Sequence, residues 1–88
     1  MKVPNLTNWY ISYNPYTDFF QIYNKDMLKF YKNELKQKKR RGVSFYFNKN
    51  KLILIEVNDI YNRFGKDIDN LEKKEVVNLI RPLIKSYV

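Results

Sequence analysis

Residues 36 to 41 read Lys-Gln-Lys-Lys-Arg-Arg, and the chemistry these side chains suit is the electrostatic capture of a polyanion. Between Lys25 and Arg41 there are eight basic residues against Asp26 and Glu34, so most of the chain's net charge of +8 is concentrated in one segment. Cations repeated along one face follow phosphates, and their affinity falls steeply with salt as the counterion advantage is lost. Arg40 and Arg41 add bidentate geometry toward phosphate oxygens. The candidate phosphate-binding residues are Lys29, Lys32, Lys36, Lys38, Lys39, Arg40 and Arg41, with Lys49 and Lys51 extending the surface. The competing reading is a solvated helix whose terminal cations complement its macrodipole. Five cations within six residues exceed what such capping requires.

Other chemistries find little material. The chain of 88 residues has no cysteine and no histidine, which removes disulfides, thiolate sites, the usual general base near neutral pH and any Ser-His-Asp arrangement. Its two glycines, Gly42 and Gly65, stand alone and build no nucleotide-binding fingerprint. Asp18, Glu34 and Lys36 imitate the Asp and Glu-x-Lys pattern of metal-dependent nucleases. On a helix, however, residues 34 and 36 point about 200° apart. Glu56 and Asp59 form a second acidic pair, but Asp59 serves equally as a helix cap. The expectation is therefore a protein that is not an enzyme, with no metal and no cofactor.

These residues need elements to position them. Residues 9 to 14 and 19 to 23 alternate like strands around the turn Asn14-Pro15-Tyr16-Thr17-Asp18, which predicts a hairpin. From Asp26 the period changes: Met27, Leu28, Tyr31 and Leu35 fall on one face of a predicted helix, capped by Asp26, stopped near Gly42 and basic on its other side. A second hairpin is predicted from Val43 to Asn48 and Leu52 to Asn58 around Lys49-Asn50-Lys51. A short helical turn through Ile60, Tyr61 and Phe64 follows. A last helix is expected to start near Asp69 or Asn70, with Leu71, Val76, Val77, Ile80 and Ile84 as its apolar stripe and Pro82 kinking it or splitting off its final turn.

The fold class expected is α+β, a single small basic domain over 1-88 built from two ββα units, 9-41 and 42-86. They would form a four-stranded antiparallel sheet with helices packed on one face. Pleat alternation places Ile11, Tyr13, Phe20, Ile22, Val43, Phe45, Phe47, Ile53, Ile55 and Val57 in the core. The other face receives Tyr10, Ser12, Phe19, Gln21, Tyr23, Ser44, Tyr46, Leu52, Leu54 and Glu56. Its aromatic and leucine content, in Tyr10, Phe19, Tyr23, Tyr46, Leu52 and Leu54, exceeds what a solvated sheet needs. It is a candidate interface for a partner, a homodimer or stacked bases.

The segment Ile11-Ser12-Tyr13-Asn14-Pro15-Tyr16-Thr17-Asp18-Phe19-Phe20-Gln21-Ile22 resembles the opening hairpin of a family of small uncharacterised prokaryotic domains that begin with a Tyr-Asp-Pro turn. Gly42 to Asn48 and Leu52 to Asp59 look like that family's second hairpin, so the likeness covers about half the chain. It departs in the basic segment between the hairpins, in the C-terminal helix, and in Asn14 where an acidic residue is usual. The resemblance implies a small antiparallel fold and a link to toxin-antitoxin pairs, and transfers no catalytic residue.

Two functions follow as expectations. The first is a non-enzymatic protein that contacts DNA or RNA phosphates through a Lys/Arg-rich helix. The second is a protein-interaction module, such as a viral or mobile-element inhibitor or an antitoxin, that binds an acidic protein surface; a metal-dependent nuclease comes third. The longest apolar run, Leu52 to Ile55, ends at Glu56 far short of a membrane span of about 20 residues. The N-terminus shows no signal-peptide hydrophobic region. No membrane partner is expected, and the expected location is cytoplasmic, in a host cell if the source is viral.

Overall fold

The computed structural model describes residues 6 to 65 and 71 to 87. Both expected hairpins are present. β1 (Tyr10–Asn14) and β2 (Phe19–Tyr23) flank a turn in which the Asn14 side chain accepts a bond from the Tyr16 amide at 3.0 Å. Asp18 closes that turn at φ 52, a left-handed conformation that Asp tolerates better than most residues. The second hairpin pairs residues Val43–Asn48 with Lys51–Asn58, and Lys49 between them sits at φ 57.

The segment between the hairpins corrects the sequence reading. Beyond the first short 3-10 helix, η1 (Leu6–Asn8), and the first hairpin, it forms not one helix over 26 to 41 but two 3-10 helices, η2 (Lys25–Lys29) and η3 (Lys32–Glu34), followed by strand β3 (Lys36–Arg40). The second hairpin is therefore β4 (Val43–Asn48) and β5 (Lys51–Asn58), and the sheet has five antiparallel strands in the order β1-β2-β5-β4-β3. Tertiary demand overrides the helix propensity of the lysines. Residues 43 to 47 of β4 are all buried, and the outer backbone groups of such a strand must be paired. Strand β3 pairs with them, entering through Arg41 and Gly42 at φ 52 and 78, the two positive values of a tight I′-type hairpin turn. A Cβ at Gly42 would lie 2.8 Å from Arg63 Nη2, so the turn has little room for a side chain there.

The N-cap of η2 is Asn24, whose side chain accepts from the Asp26 amide at 2.8 Å, and not Asp26 as the sequence suggested. The short helix α1 (Ile60–Phe64) begins after Asp59, whose side chain makes no capping bond. Asp18 takes that role from the first hairpin: its carboxylate accepts from the Tyr61 amide at 3.1 and 3.2 Å and from the Tyr13 hydroxyl at 2.6 Å. The main helix, α2 (Lys73–Tyr87), runs on through Pro82, so the proline does not end it. The start expected at Asp69 or Asn70 lies outside the described residues. The architecture is thus α+β with one principal helix, not two ββα units, because no α-helix follows the first hairpin.

One face of the sheet carries Phe20, Ile22, Val43, Phe45, Phe47, Ile55 and Val57, packed with Leu6, Trp9, Ile60 and the α2 residues Val76, Val77 and Ile80. Ile11 and Tyr13 border this core. The pleat assignment holds with one exchange: Leu52 lies in this core and Ile53 on the opposite face. A bulge explains it. Tyr46 pairs with Leu54 and Phe47 with Leu52, leaving Ile53 as an extra residue that flips the pleat below it. The opposite face is covered as well, by Met27, Phe30 and Leu35 over Tyr23, Tyr46, Ile53 and Leu54. No helix of the described residues is long and apolar enough to cross a membrane.

Candidate nucleic-acid interface

Strand β3 is an edge strand, and all five of its residues are exposed. Its register fixes two rows. Lys36, Lys38 and Arg40 stand opposite Phe47, Phe45 and Val43 and share the α2 side of the sheet, whereas Gln37 and Lys39 stand opposite Tyr46 and Ser44 on the η2–η3 side. The Lys38 ammonium lies 5.8 Å from the centre of the Phe47 ring, so its stem runs along apolar surface while its charge stays accessible. Arg41 continues the row into the turn, where its carbonyl accepts a bond from Arg63 Nη2 at 2.7 Å and brings a further cation beside it. Among the described residues no ion pair involves Lys36, Lys38, Lys39 or Arg41.

The remaining candidate cations are placed differently. Lys29 and Lys51 both face Asp26, at 3.5 and 2.6 Å, and Asp26 is held below its ordinary carboxylate value chiefly by the Lys51 hydrogen bond, with Lys29 adding to it. Lys49 occupies the β4–β5 turn, near the Lys36 end of β3 and away from Arg41. Lys32 leaves the surface row altogether and reaches Glu56 at 2.9 Å.

That contact belongs to a polar row crossing all five strands: Ser12, Gln21, Glu56, Ser44 and Lys39 are successive cross-strand partners on the η2–η3 face. Glu56 is only 5% exposed. Its carboxylate accepts from Gln21 Nε2 at 2.6 Å and pairs with Lys32, while Gln37 Nε2 donates to Ser44 Oγ at 3.3 Å. The Lys32 ammonium also lies 5.1 Å from the Tyr46 ring centre and 6.0 Å from that of Phe19. Burial pulls the Lys32 value down, but the hydrogen bond and charge of Glu56 outweigh it and leave it raised. Tyr46 is raised too, first by burial and then by the neighbouring Glu56.

Next to this row a groove of about 590 Å³ opens between η3 and β3, lined by Tyr31, Lys32, Asn33, Leu35, Gln37 and Tyr46. The sequence pattern places Tyr31 on the buried side of a predicted helix, whereas it is 77% exposed, so the groove is not visible in the sequence. The available signal is the aromatic pair Phe30 and Tyr31 between Lys29 and Lys32.

Of the candidate sheet-face residues, Tyr46, Leu52 and Leu54 are buried within the chain, and Phe19 and Tyr23 are half-buried. Only Tyr10 is substantially open, its ring centre 5.7 Å from that of Tyr23. Of the residues in the Asp and Glu-x-Lys pattern, Asp18 is engaged at the start of α1, Glu34 accepts from the Tyr31 amide and Lys36 lies on β3; no group of three or more acidic side chains that could hold a metal occurs among the described residues. Comparison with protein-family models, curated proteins and solved structures finds no match to this chain.

Proposed function

We propose that the chain is a small non-enzymatic domain that binds nucleic acid along the β3 edge and its turn, with Lys36, Lys38, Lys39, Arg40 and Arg41 contacting phosphates. The observation that carries this reading is the contrast in how the cations are used. Lys29, Lys32 and Lys51 are held by carboxylates of the chain, while Lys36, Lys38 and Lys39 stand exposed on an open edge with no ion pair among the described residues. Side chains two apart on a strand are spaced about 7 Å, so the edge presents charge as a line. Phosphate contacts position a nucleic acid without reading bases, and little sequence preference follows from them. Such a partner is met in the cytoplasm.

An open basic edge also suits an acidic extended segment of another protein, added as a further strand; this is the interaction-module reading, inhibitor or antitoxin. Binding to labelled single- and double-stranded DNA and RNA over a salt series separates the two. The nucleic-acid reading expects dissociation constants of about 10⁻⁴ to 10⁻⁶ M that weaken steeply with salt. Replacing Lys36, Lys38, Arg40 and Arg41 by Gln should flatten the salt slope by about one unit per lost phosphate contact. Absence of binding at low salt overturns it, and binding of an acidic polypeptide in its place supports the alternative.

A further inference from the structure

The groove beside β3 has a composition that phosphate binding does not require. We infer that it receives an unstacked base of a single-stranded nucleic acid, laid against the Tyr31 ring, while the adjoining phosphates lie on Lys39 and the β3 edge; this rests on the nucleic-acid reading above. Four observations converge on it.

Tyr31 is 77% exposed, although a ring of that size next to the buried Leu35 and Tyr46 had apolar surface within reach. An exposed aromatic is a stacking platform for any base. Its backbone is held in place: the Tyr31 amide donates to Glu34 Oε2 at 3.3 Å, and its carbonyl accepts from the Glu34 amide at 2.9 Å. The groove is open to solvent, and its lining joins the buried apolar residues Leu35 and Tyr46 to the exposed amides of Asn33 and Gln37; Asn33 offers a donor and an acceptor to the edge of a base, and Gln37, whose Nε2 donates to Ser44 Oγ, offers its oxygen.

Continuity with the basic edge completes the case. Gln37 lines the groove and belongs to β3, and Lys39 follows it on the same side of the sheet about 7 Å further along. A strand whose base enters the groove thus has its next phosphate beside a lysine that makes no ion pair among the described residues. A duplex, whose bases are stacked inside, gains nothing from this groove.

The test measures fluorescence anisotropy at low salt with a labelled single-stranded oligonucleotide and an abasic oligonucleotide of the same backbone. The wild-type chain should bind the base-bearing strand about tenfold more tightly. Tyr31→Ala should erase that difference and leave abasic binding unchanged, while Tyr31→Phe, which keeps the ring, should retain it. Because Tyr31 is exposed, these variants keep the core intact. Equal binding of the two strands, or an unaltered preference in Tyr31→Ala, overturns the groove assignment and leaves the phosphate reading standing. If neither strand is bound, the phosphate reading falls and the groove assignment with it.

Discussion

The two faces of the sheet are closed by different means. On one, α2 lays Val76, Val77 and Ile80 over a core of Phe20, Phe45, Phe47, Ile55 and Val57 with no charged group among them. On the other, two 3-10 helices bring only Met27, Phe30 and Leu35 to the sheet, and Glu56 and Ser44 remain buried beside them. A short irregular segment covers less area than a helix, so the second face must satisfy polar groups where the first excludes water. It does so: no buried side-chain nitrogen or oxygen among the described residues lacks a partner. The groove between η3 and β3 opens on this incompletely covered face.

The comparison breaks most visibly at Phe20, fully buried in the helix-covered core. Phe20→Ala should cost about 3–5 kcal/mol, a large part of the stability of a domain this size, read as a shift in urea midpoint. Glu56→Ala should cost less, about 1–3 kcal/mol, because it strands Gln21 and Lys32 but Lys32 remains nearly half in water and recovers hydration. Equal losses for the two variants would mean that the polar row, not the apolar core, governs the fold.

Titration sharpens the same contrast with a smaller effect. The Lys32 and Tyr46 values are both raised in the fold, so each protonated form is favoured there. Their contribution is fully present below the unfolded values, near 10.5 and 10.0, and is lost as pH rises through the higher folded values. Urea unfolding between pH 9 and 12 should show stability falling from about pH 10 upward. Glu56→Gln, which removes the carboxylate that raises both values, should flatten that fall, and an unchanged profile would show that the Lys32–Glu56 pair has no part in it.

The helix-covered face was legible because its residues obey a period of two and their partners on α2 a period of 3.6. The single error there, the exchange of Leu52 and Ile53, comes from a bulge, and no local sequence signal distinguishes a bulged residue from its neighbours in Leu52-Ile53-Leu54-Ile55. The other face was legible only as a set of residues. Met27, Leu28, Tyr31 and Leu35 fit a helical stripe, yet Leu28 is 80% exposed and the stripe does not exist. A strand of five polar residues has no alternation to betray it. What makes β3 a strand is the buried edge of β4, a demand that arises only once the sheet is assembled. The basic residues are therefore legible by type, while the element that carries them is a strand and not the expected helix, and the groove beside them has no sequence signature beyond an aromatic pair among lysines.

The smallest effect on stability is expected where the effect on binding is largest. Charges on an edge strand have a role unrelated to ligands: they discourage the edge from pairing with another copy. If β3 were only such a guard, one or two lysines would suffice, and neutralising the rest would change nothing measurable. Replacing Lys36, Lys38, Lys39 and Arg40 by Thr keeps strand propensity and removes every charge from β3. Because all four are exposed, thermal stability should change by no more than about 0.5 kcal/mol per site. Light scattering should report self-association of the quadruple variant, since an uncharged β3 becomes an open template. Restoring Lys38 alone should suppress that association while leaving oligonucleotide binding weak. Full recovery of both properties by one lysine would reduce β3 to an edge guard, whereas recovery of solubility without binding identifies the surplus charge as the part that meets a partner.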